Sequence, residues 1–469
     1  MENFDFKKDL HFNEFPAIDL ASWEKVIQSD LKGKNYKEVL KWDSGEGISA
    51  LPFYRREHLK NLVHEPSPIH KNNSWNIIES IGDQNISEAN KVALKALESG
   101  ASGLIFDLNS NRVTSKADLE KLLKGIQFEF IMLKFGVGLS TPEVAEWLSQ
   151  ICAEEQKPED KLHIYFSFNP FTSALATGSL PGINEIKKLY SQIDKSFKFA
   201  SVDSSSMANS GANIVQQVAL SLAAGNELLG IDKHLADRMY FNFAVGNSYF
   251  PEIAKFRAIR LLWNQILHEY KLKQAPTFVH AETCLWNKAR NDAHNNMLRS
   301  TTEAMSAALG GCSSITIYPY DVHFKEPSIF SKRIARNIHL ILKEEAYLNK
   351  VADPGAGSYY IETLTDKIAQ ESWNLFRELE ANGGFYECLK SGLIQSKIKK
   401  ARQKKIDAYF EKERVLVGVN KYPPDEKADP EELRISKVTN SGLSWNNITD
   451  IETIGLLNME KELEKGASK

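Results

Sequence analysis

Eight short β-rich runs, each followed by a longer stretch of helical period, dominate the sequence from residue 75 onward. They are WNIIESI (75–81), GLIFDL (103–108), FEFIML (128–133), HIYFSF (163–168), FKFASVD (197–203), MYFNFAV (239–245), PTFVHAET (276–283) and SSITIYPYD (313–321). Between them lie segments such as ISEANKVALKALESG, TPEVAEWLSQICAEEQ and PEIAKFRAIRLLWNQILHEYK. Several open on Ser, Thr or Pro and close on Gly, the residues that suit the two ends of a helix. Alternation of this kind predicts parallel βα units. Eight such units within about 250 residues predict an α/β fold of the closed (β/α)8 TIM-barrel type. An open doubly wound sheet is the alternative. No GxGxxG or GxxxxGK[ST] stands at a strand-to-helix turn, so the usual reason to prefer it is missing.

Further pieces flank the barrel. Residues 1–70 read as an N-terminal arm with one amphipathic segment, LASWEKVIQSDLKG, and residues 71–345 as the barrel. Residues 346–425 read as a C-terminal helical extension of the barrel, and 426–469 as a polar tail, a linker remnant or a second surface arm. The run KIKKARQKK reads as a solvated helix face. A net charge of -3 gives no pull toward nucleic acid or an anionic membrane surface. The opening MENFDFKKDLHFNEF has no apolar core of a secretory signal, and no apolar run reaches the roughly 20 residues of a membrane span. Four scattered cysteines suggest neither a disulfide framework nor a zinc knuckle. Together these features predict a cytoplasmic protein.

Function in a barrel gathers at the carboxyl ends of its strands. Here those ends hold Glu79, Asp107, Asp203, Ser204, Ser205, Ser206, His280, Glu282 and Asp321. Carboxylates facing one another across the mouth could hold a metal or act as acid and base, while the plainer reading has each capping the helix that follows. The serines could cradle a phosphate, or form a loop with Ser210 as N-cap of the next helix and Gly211 easing close packing. No GxSxG surrounds them, which argues against a nucleophile. Three DxH triplets, ending at His234, His294 and His323, lack the second set of ligands that a metal site needs.

The segments WNQIL, VHAETCLWNKARNDAHNNMLRSTTEAMSAALGG, RIARNIHLILKEE, VADPGAGSYYIETLTDKIA and VLVGVNKY resemble the barrel part of the methylmalonyl-CoA mutase family. The early stretches FPAIDLASWEKVIQSDLKG and EGISALPFYRREHL resemble the small, or beta, subunit of its two-chain bacterial members. The resemblance implies adenosylcobalamin-dependent interconversion of methylmalonyl-CoA and succinyl-CoA. It places the CoA tail along the barrel bore and the corrinoid over the carboxyl ends of the strands. The cofactor carries the radical chemistry and the protein positions and shields it.

Against that pattern the chain departs where chemistry would sit. A Tyr-His pair of the kind found in GYHMQEAGA falls on Ser205 and Ser206 of SSSMANSGA, and the tyrosine of a segment like WTIRQYAGF falls on Ser80. No Arg occurs between Arg112 and Arg238, so no guanidinium is there to clamp a substrate carboxylate. Leu285 stands where HSQTSGW has glycine, while His280, Arg299 and Glu303 are kept as scaffold. The chain ends soon after VLVGVNKY, too early for a cobalamin-binding domain. Its nearest imitation of DxHxxG, DKHLAD (232–237), has Asp237 in place of the glycine. The expectation is therefore a noncatalytic small subunit that binds no cofactor and no metal itself. It would pair as a heterodimer with a large, or alpha, catalytic subunit that carries adenosylcobalamin. Two alternatives stand beside it: an independent barrel enzyme using Asp203, Glu282 or Asp321 in hydrolytic or metal-assisted chemistry, and a CoA-ester-binding module without turnover.

Overall fold

Eight parallel strands form one sheet: β1 (Asn76–Ile81), β2 (Gly103–Asp107), β3 (Met132–Gly136), β4 (His163–Phe166), β5 (Ala200–Asp203), β6 (Met239–Val245), β7 (Val279–Thr283) and β8 (Ser314–Thr316). Their order is β4-β3-β2-β1-β8-β7-β6-β5. A parallel bridge between Tyr165 and Lys198 brings the two edges together. Phe166 N–H donates to the Lys198 carbonyl at 2.8 Å, and Lys198 N–H to that of Ile164 at 3.0 Å. With its edges joined and helices around it, the sheet is a (β/α)8 barrel. This computed structural model describes residues 18–70, 73–82, 84–108, 111–136, 141–157, 162–167, 169–193, 197–273, 277–322, 324–425 and 447–467.

The outer layer follows from the sequence pattern. After each strand in turn come α1 (Ile86–Glu98), α2 (Lys116–Leu123), α3 (Thr141–Glu154), α4 (Ile183–Gln192), α5 (Ile214–Ile231), α6 (Tyr249–Glu269), α7 (Asn295–Leu309) and α8 (Ile329–Leu340). Asn85, Ser115 and Ser328 cap α1, α2 and α8 through their side-chain oxygens. The extension contributes α9 (Tyr359–Ala381) and α10 (Leu393–Phe410). Helix α5 is long and apolar enough in composition to cross a membrane, yet 72% of it is buried. It packs against α6 and α9, which accounts for apolar residues around most of its circumference.

Two local expectations differ from the structure. The third run, FEFIML, does not form a strand from its first residue: β3 starts at Met132 and extends to Gly136. Its aromatic start serves the loop instead. Phe128 is buried beneath the Lys157 ammonium, Glu129 pairs with Lys157 at 2.6 Å, and Phe130 is exposed. Nor does Ser210 cap the helix after the serines. Ser205–Asn209 is itself a short helix that ends at Ser210, and α5 starts from Asn213, whose side chain caps Gln216 N–H in a reciprocal capping box. Gly211, at φ +115°, lies against α10 so closely that an added Cβ would meet Arg402 Cβ at 2.6 Å.

The flanking segments return to the barrel. Ile448–Asp450 pairs antiparallel with Ser179–Pro181, and Leu457 and Met459 bury beside Trp286 and Tyr409. The N-terminal segment is held at its base by buried charge. Arg257 on α6 binds Asp353 and donates to Glu362 at 2.8 Å, and His64 contacts the other Glu362 oxygen at 2.7 Å. Further out, the helix Leu20–Asp30 buries none of its residues.

Gly103 marks the tightest packing within the sheet. A Cβ there would meet Ile78 Cδ1 at 2.5 Å and the Met132 carbonyl oxygen at 2.6 Å, and the latter is backbone that cannot swing away. Gly103→Ala should therefore cost about 1–3 kcal/mol in urea denaturation. Gly230→Ala in α5, where a Cβ meets nothing within 4 Å, should be neutral or gain about 0.5–1 kcal/mol.

Candidate functional site: the bore and its mouth

Inward-facing side chains alternate along each strand, so the contents of the bore follow from the register. Low in the bore, Tyr165 of β4, Tyr240 of β6 and Phe278 just before β7 meet ring to ring. Their centroids lie 5.3 Å apart for Tyr165–Tyr240, 4.7 Å for Tyr165–Phe278 and 6.5 Å for Tyr240–Phe278. Ile78, Ile105 and Met132 complete the cluster from β1, β2 and β3. Contact between side chains of β4 and β7, which are not neighbours in the sheet, can only be made across the bore. The Tyr240 hydroxyl donates to the Phe166 carbonyl at 3.0 Å, which fixes the ring in place.

Two residues further along β7, paired in register with Asn242 of β6, the imidazole of His280 is fully buried. Its Nδ1 contacts Ser314 Oγ at 2.7 Å and its Nε2 contacts Thr316 Oγ1 at 3.4 Å. Burial holds its pKa well below the usual histidine range, with the Lys134 charge acting the same way. His280 is a neutral ring spent on two hydroxyls of β8.

Toward the mouth, a polar network spans four strands. Lys134 of β3, 3% exposed, donates to Asn242 Oδ1 at 3.3 Å and lies 5.7 Å from the Tyr240 ring centroid. Asn242 of β6 donates through Nδ2 to Asp203 Oδ1 at 3.0 Å and to Ser205 Oγ at 3.3 Å. Asp203 of β5 also accepts Ser205 N–H at 3.0 Å and Ser206 Oγ–H at 2.6 Å. Glu282 of β7 accepts the Tyr318 hydroxyl at 3.1 Å. Burial pushes the Glu282 carboxyl up; Lys134 opposes the shift and Asp203 adds to it. Burial lowers the Lys134 ammonium, and Glu282 and Asp203 partly restore it.

Ser205, Ser206, Asp203 and Glu282 are thus brought together, and the serine hydroxyls serve the Asp203 network. Ser80 of β1 lines the mouth and is exposed. The other candidates lie elsewhere. Glu79 leaves the bore to pair with Arg336 on α8. Asp321 is buried beyond β8, with Lys325 at 3.8 Å, and His323 beside it lies outside the described residues. His294 stacks beside Tyr320 at 5.4 Å. His234 sits in the turn Lys233–Arg238, at the amino end of β6 and so at the opposite end of the barrel from the mouth. Leu285 is half-buried in the loop after β7, its N–H held by Asn209 Oδ1 at 2.7 Å. Sequence reasoning missed Lys134, Asn242 and Tyr318. The signal was a single polar residue at an inward position of an apolar strand, as in MLKFG and MYFNFAV.

Glu303 and Arg299, on α7, anchor loops. Glu303 is fully buried and receives Lys288 Nζ at 2.8 and 2.6 Å and Asn287 Nδ2 at 2.8 Å. Arg299 binds the Val417 carbonyl, pinning the chain beyond α10. Removing one partner of a buried pair strands the other, so Lys288→Met should cost about 3–5 kcal/mol at neutral pH. Burial already raises the Glu303 carboxyl above its ordinary 4.5. In Lys288→Met the folded state should therefore bind a proton that the unfolded state has released. Stability of that variant should be highest in acid and fall as pH rises above about 4.5, more steeply than in the parent chain, as equilibrium unfolding across pH would record.

Comparison with known proteins follows the same lines. The sequence profile of the methylmalonyl-CoA mutase family matches residues 110–456. The methylmalonyl-CoA mutase small subunit of Porphyromonas gingivalis is 36% identical over 453 residues, covering 89% of this chain and 72% of that one. Methylmalonyl-CoA mutases of Cereibacter sphaeroides and Rhizobium meliloti are 31% and 30% identical, covering 88% and 86% of this chain and 66% and 64% of their own. The chain thus spans about two thirds of the length of these two mutases. Among solved structures, wild-type HPPK-DHPS of Plasmodium falciparum aligns at 12% identity with a TM-score of 0.33 over 72% of this chain and 56% of that one, too weak a likeness to carry an argument. On the family profile and the extent of identity, this chain belongs to the methylmalonyl-CoA mutase family.

Proposed function

We propose that the chain is the noncatalytic small subunit of an adenosylcobalamin-dependent methylmalonyl-CoA mutase, stabilising a large catalytic subunit in a cytoplasmic heterodimer. The observation that carries this reading is the ring cluster of Tyr165, Tyr240 and Phe278, which fills the bore where the resemblance would thread the CoA tail. At the mouth, Ser80, Ser205 and Ser206 offer hydroxyls in place of the phenols and imidazole. A serine hydroxyl has no proton-holding range near neutrality, so it cannot stand in for an imidazole.

The residues present do not fit the corrinoid. Leu285 stands where close approach calls for glycine, and DKHLAD lies at the wrong end of the barrel to reach a group over the strand ends. We assign no cofactor to this chain and place adenosylcobalamin in the partner. The small-subunit name of the Porphyromonas gingivalis relative supports the partner assignment. So does the arm: Ile18, Trp23, Val26, Val39 and Trp42 are 42–58% exposed, on a segment whose helix has no fully buried residue. A helix of 11 residues held only by Trp23 stacked on Phe53 at 4.2 Å, with no residue fully buried, is marginal alone, and a second chain covering it would supply the missing burial.

The raised Glu282 carboxyl favours the second reading, an acid-base enzyme of its own. Against a metal-assisted version, no group of three or more His, Cys, Asp or Glu is placed to hold a metal among the described residues.

Purified alone with adenosylcobalamin and succinyl-CoA, the chain should yield no methylmalonyl-CoA. Co-expressed with a cobalamin-bearing mutase chain from the same cells, it should purify as a complex that turns over. Turnover by the chain alone overturns the proposal. Ile18→Glu combined with Val26→Glu, at side chains 57% and 58% exposed, should reduce recovery of the complex at least tenfold, the effect of about 1.4 kcal/mol or more, and leave the melting temperature of the isolated chain unchanged.

A further inference from the structure

A cleft of about 1100 Å³ lies between the N-terminal segment and α9. Glu24 of the helix Leu20–Asp30 lines it, with Lys34, Tyr36 and Lys41 of the chain that follows and with Lys367 and Glu371, one helical turn apart on α9. Its charges are unspent. Among the described residues none of Glu24, Lys34, Lys41, Lys367 and Glu371 forms an ion pair. Lys367, half-buried, donates to the Ser49 carbonyl at 3.0 Å and lies 5.9 Å from the Tyr54 ring centroid. Burial lowers its ammonium and Lys41 acts the same way, while Asp366 partly restores it; the two lysines are close enough to repel. Tyr36 is 8% exposed, and its hydroxyl has no hydrogen-bond partner among the described residues. An unpaired buried donor is costly, and the lysines and this hydroxyl together call for an acceptor from outside the chain.

We propose that this cleft receives an acidic segment of the catalytic partner chain, its carboxylates pairing with Lys34, Lys41 and Lys367 and its oxygens accepting from Tyr36. The inference rests on the partner reading given above and specifies what chemistry the partner presents. Size points to a chain segment over a small molecule. About 1100 Å³ exceeds the roughly 300–1000 Å³ of a typical small-molecule site, and one wall is a helix too short to be firm alone. Position points to the partner. Lys41 lies in the chain between Val39 and Trp42, both 49% exposed, and Glu24 directly follows Trp23, so a chain that covers these apolar groups meets the cleft. Charge sets the chemistry: three cations outnumber two carboxylates, and the pair Lys41 and Lys367 is relieved only by an anion. Lys34 and Lys41 are exposed, so their pull acts on encounter and is screened by salt. Glu24 and Glu371 repel a carboxylate placed over them and so fix the register of the segment.

The test is binding of the full chain to an immobilised cobalamin-bearing mutase chain from the same cells, read by surface plasmon resonance. Lys34→Glu combined with Lys41→Glu, both at exposed positions, should weaken binding about tenfold in roughly 0.05 M salt and about twofold or less in roughly 1 M salt, where the Debye length is about 3 Å. Glu371→Lys, also exposed, should tighten binding about threefold at the lower salt, a gain that damage to the fold does not produce. Melting temperatures of all three chains should agree. Unchanged affinity of the lysine variant, or a loss equal at both salt concentrations, overturns the proposal. So does a change in self-association of the isolated chain, seen by sedimentation, in place of a change in partner binding, which makes a second copy the occupant. If the parent chain binds and Ile18→Glu with Val26→Glu abolishes binding while the lysine variant keeps it, the cleft proposal falls and the partner reading stands. If the parent chain does not bind, both fall.

Discussion

Three aromatic rings meeting across the bore decide what this barrel can be. Tyr165 comes from a strand that pairs with neither that of Tyr240 nor that of Phe278, so their contact closes the space that eight strands would otherwise leave. Each ring pair is worth about 0.5–1.5 kcal/mol beyond the area it buries. The plug therefore contributes to the stability of the barrel as well as to its closure. A barrel whose bore is core is a scaffold from that level down, and only its upper end remains open to ligands.

The upper end is occupied by a network of its own. Asp203 accepts from the side chains of Asn242 and Ser206 and from the Ser205 amide, and Lys134 leans on Asn242 over the Tyr240 ring. A buried lysine and two carboxylates are costly to desolvate unless they face one another, which explains why polar residues recur at these inward positions together. Ser205 and Ser206 are members of this network. The network forms a hydrogen-bonded lid over an aromatic plug.

Much of the scaffold was legible in the sequence because it rests on local rules. Apolar runs bounded by turns marked the strands, and helical period in ISEANKVALKALESG, TPEVAEWLSQICAEEQ and PEIAKFRAIRLLWNQILHEYK marked α1, α3 and α6. Where local rules competed, the reading slipped. FEFIML looks like a strand from its first residue, but Phe128 and Glu129 answer to Lys157, a contact distant in sequence. At the serines, the pair Asn213 and Gln216 carried the true capping signal, and Ser210 only resembled one. The plug and the mouth network were not legible at all. Both depend on which inward residues stand level with one another around the ring, and that is set by the stagger of the strands. Ser80, Ser205 and Ser206 could be named from family resemblance, yet the bonding of Ser205 and Ser206 to Asp203 and Asn242 could not.

The central claim, that the bore is filled and takes no CoA ester, is tested most directly by titrating succinyl-CoA into the purified chain in a calorimeter. The account predicts no saturable heat up to millimolar ester, with the same null result for methylmalonyl-CoA. A saturable, stoichiometric binding isotherm with a micromolar dissociation constant, about 8 kcal/mol of binding free energy, would contradict it.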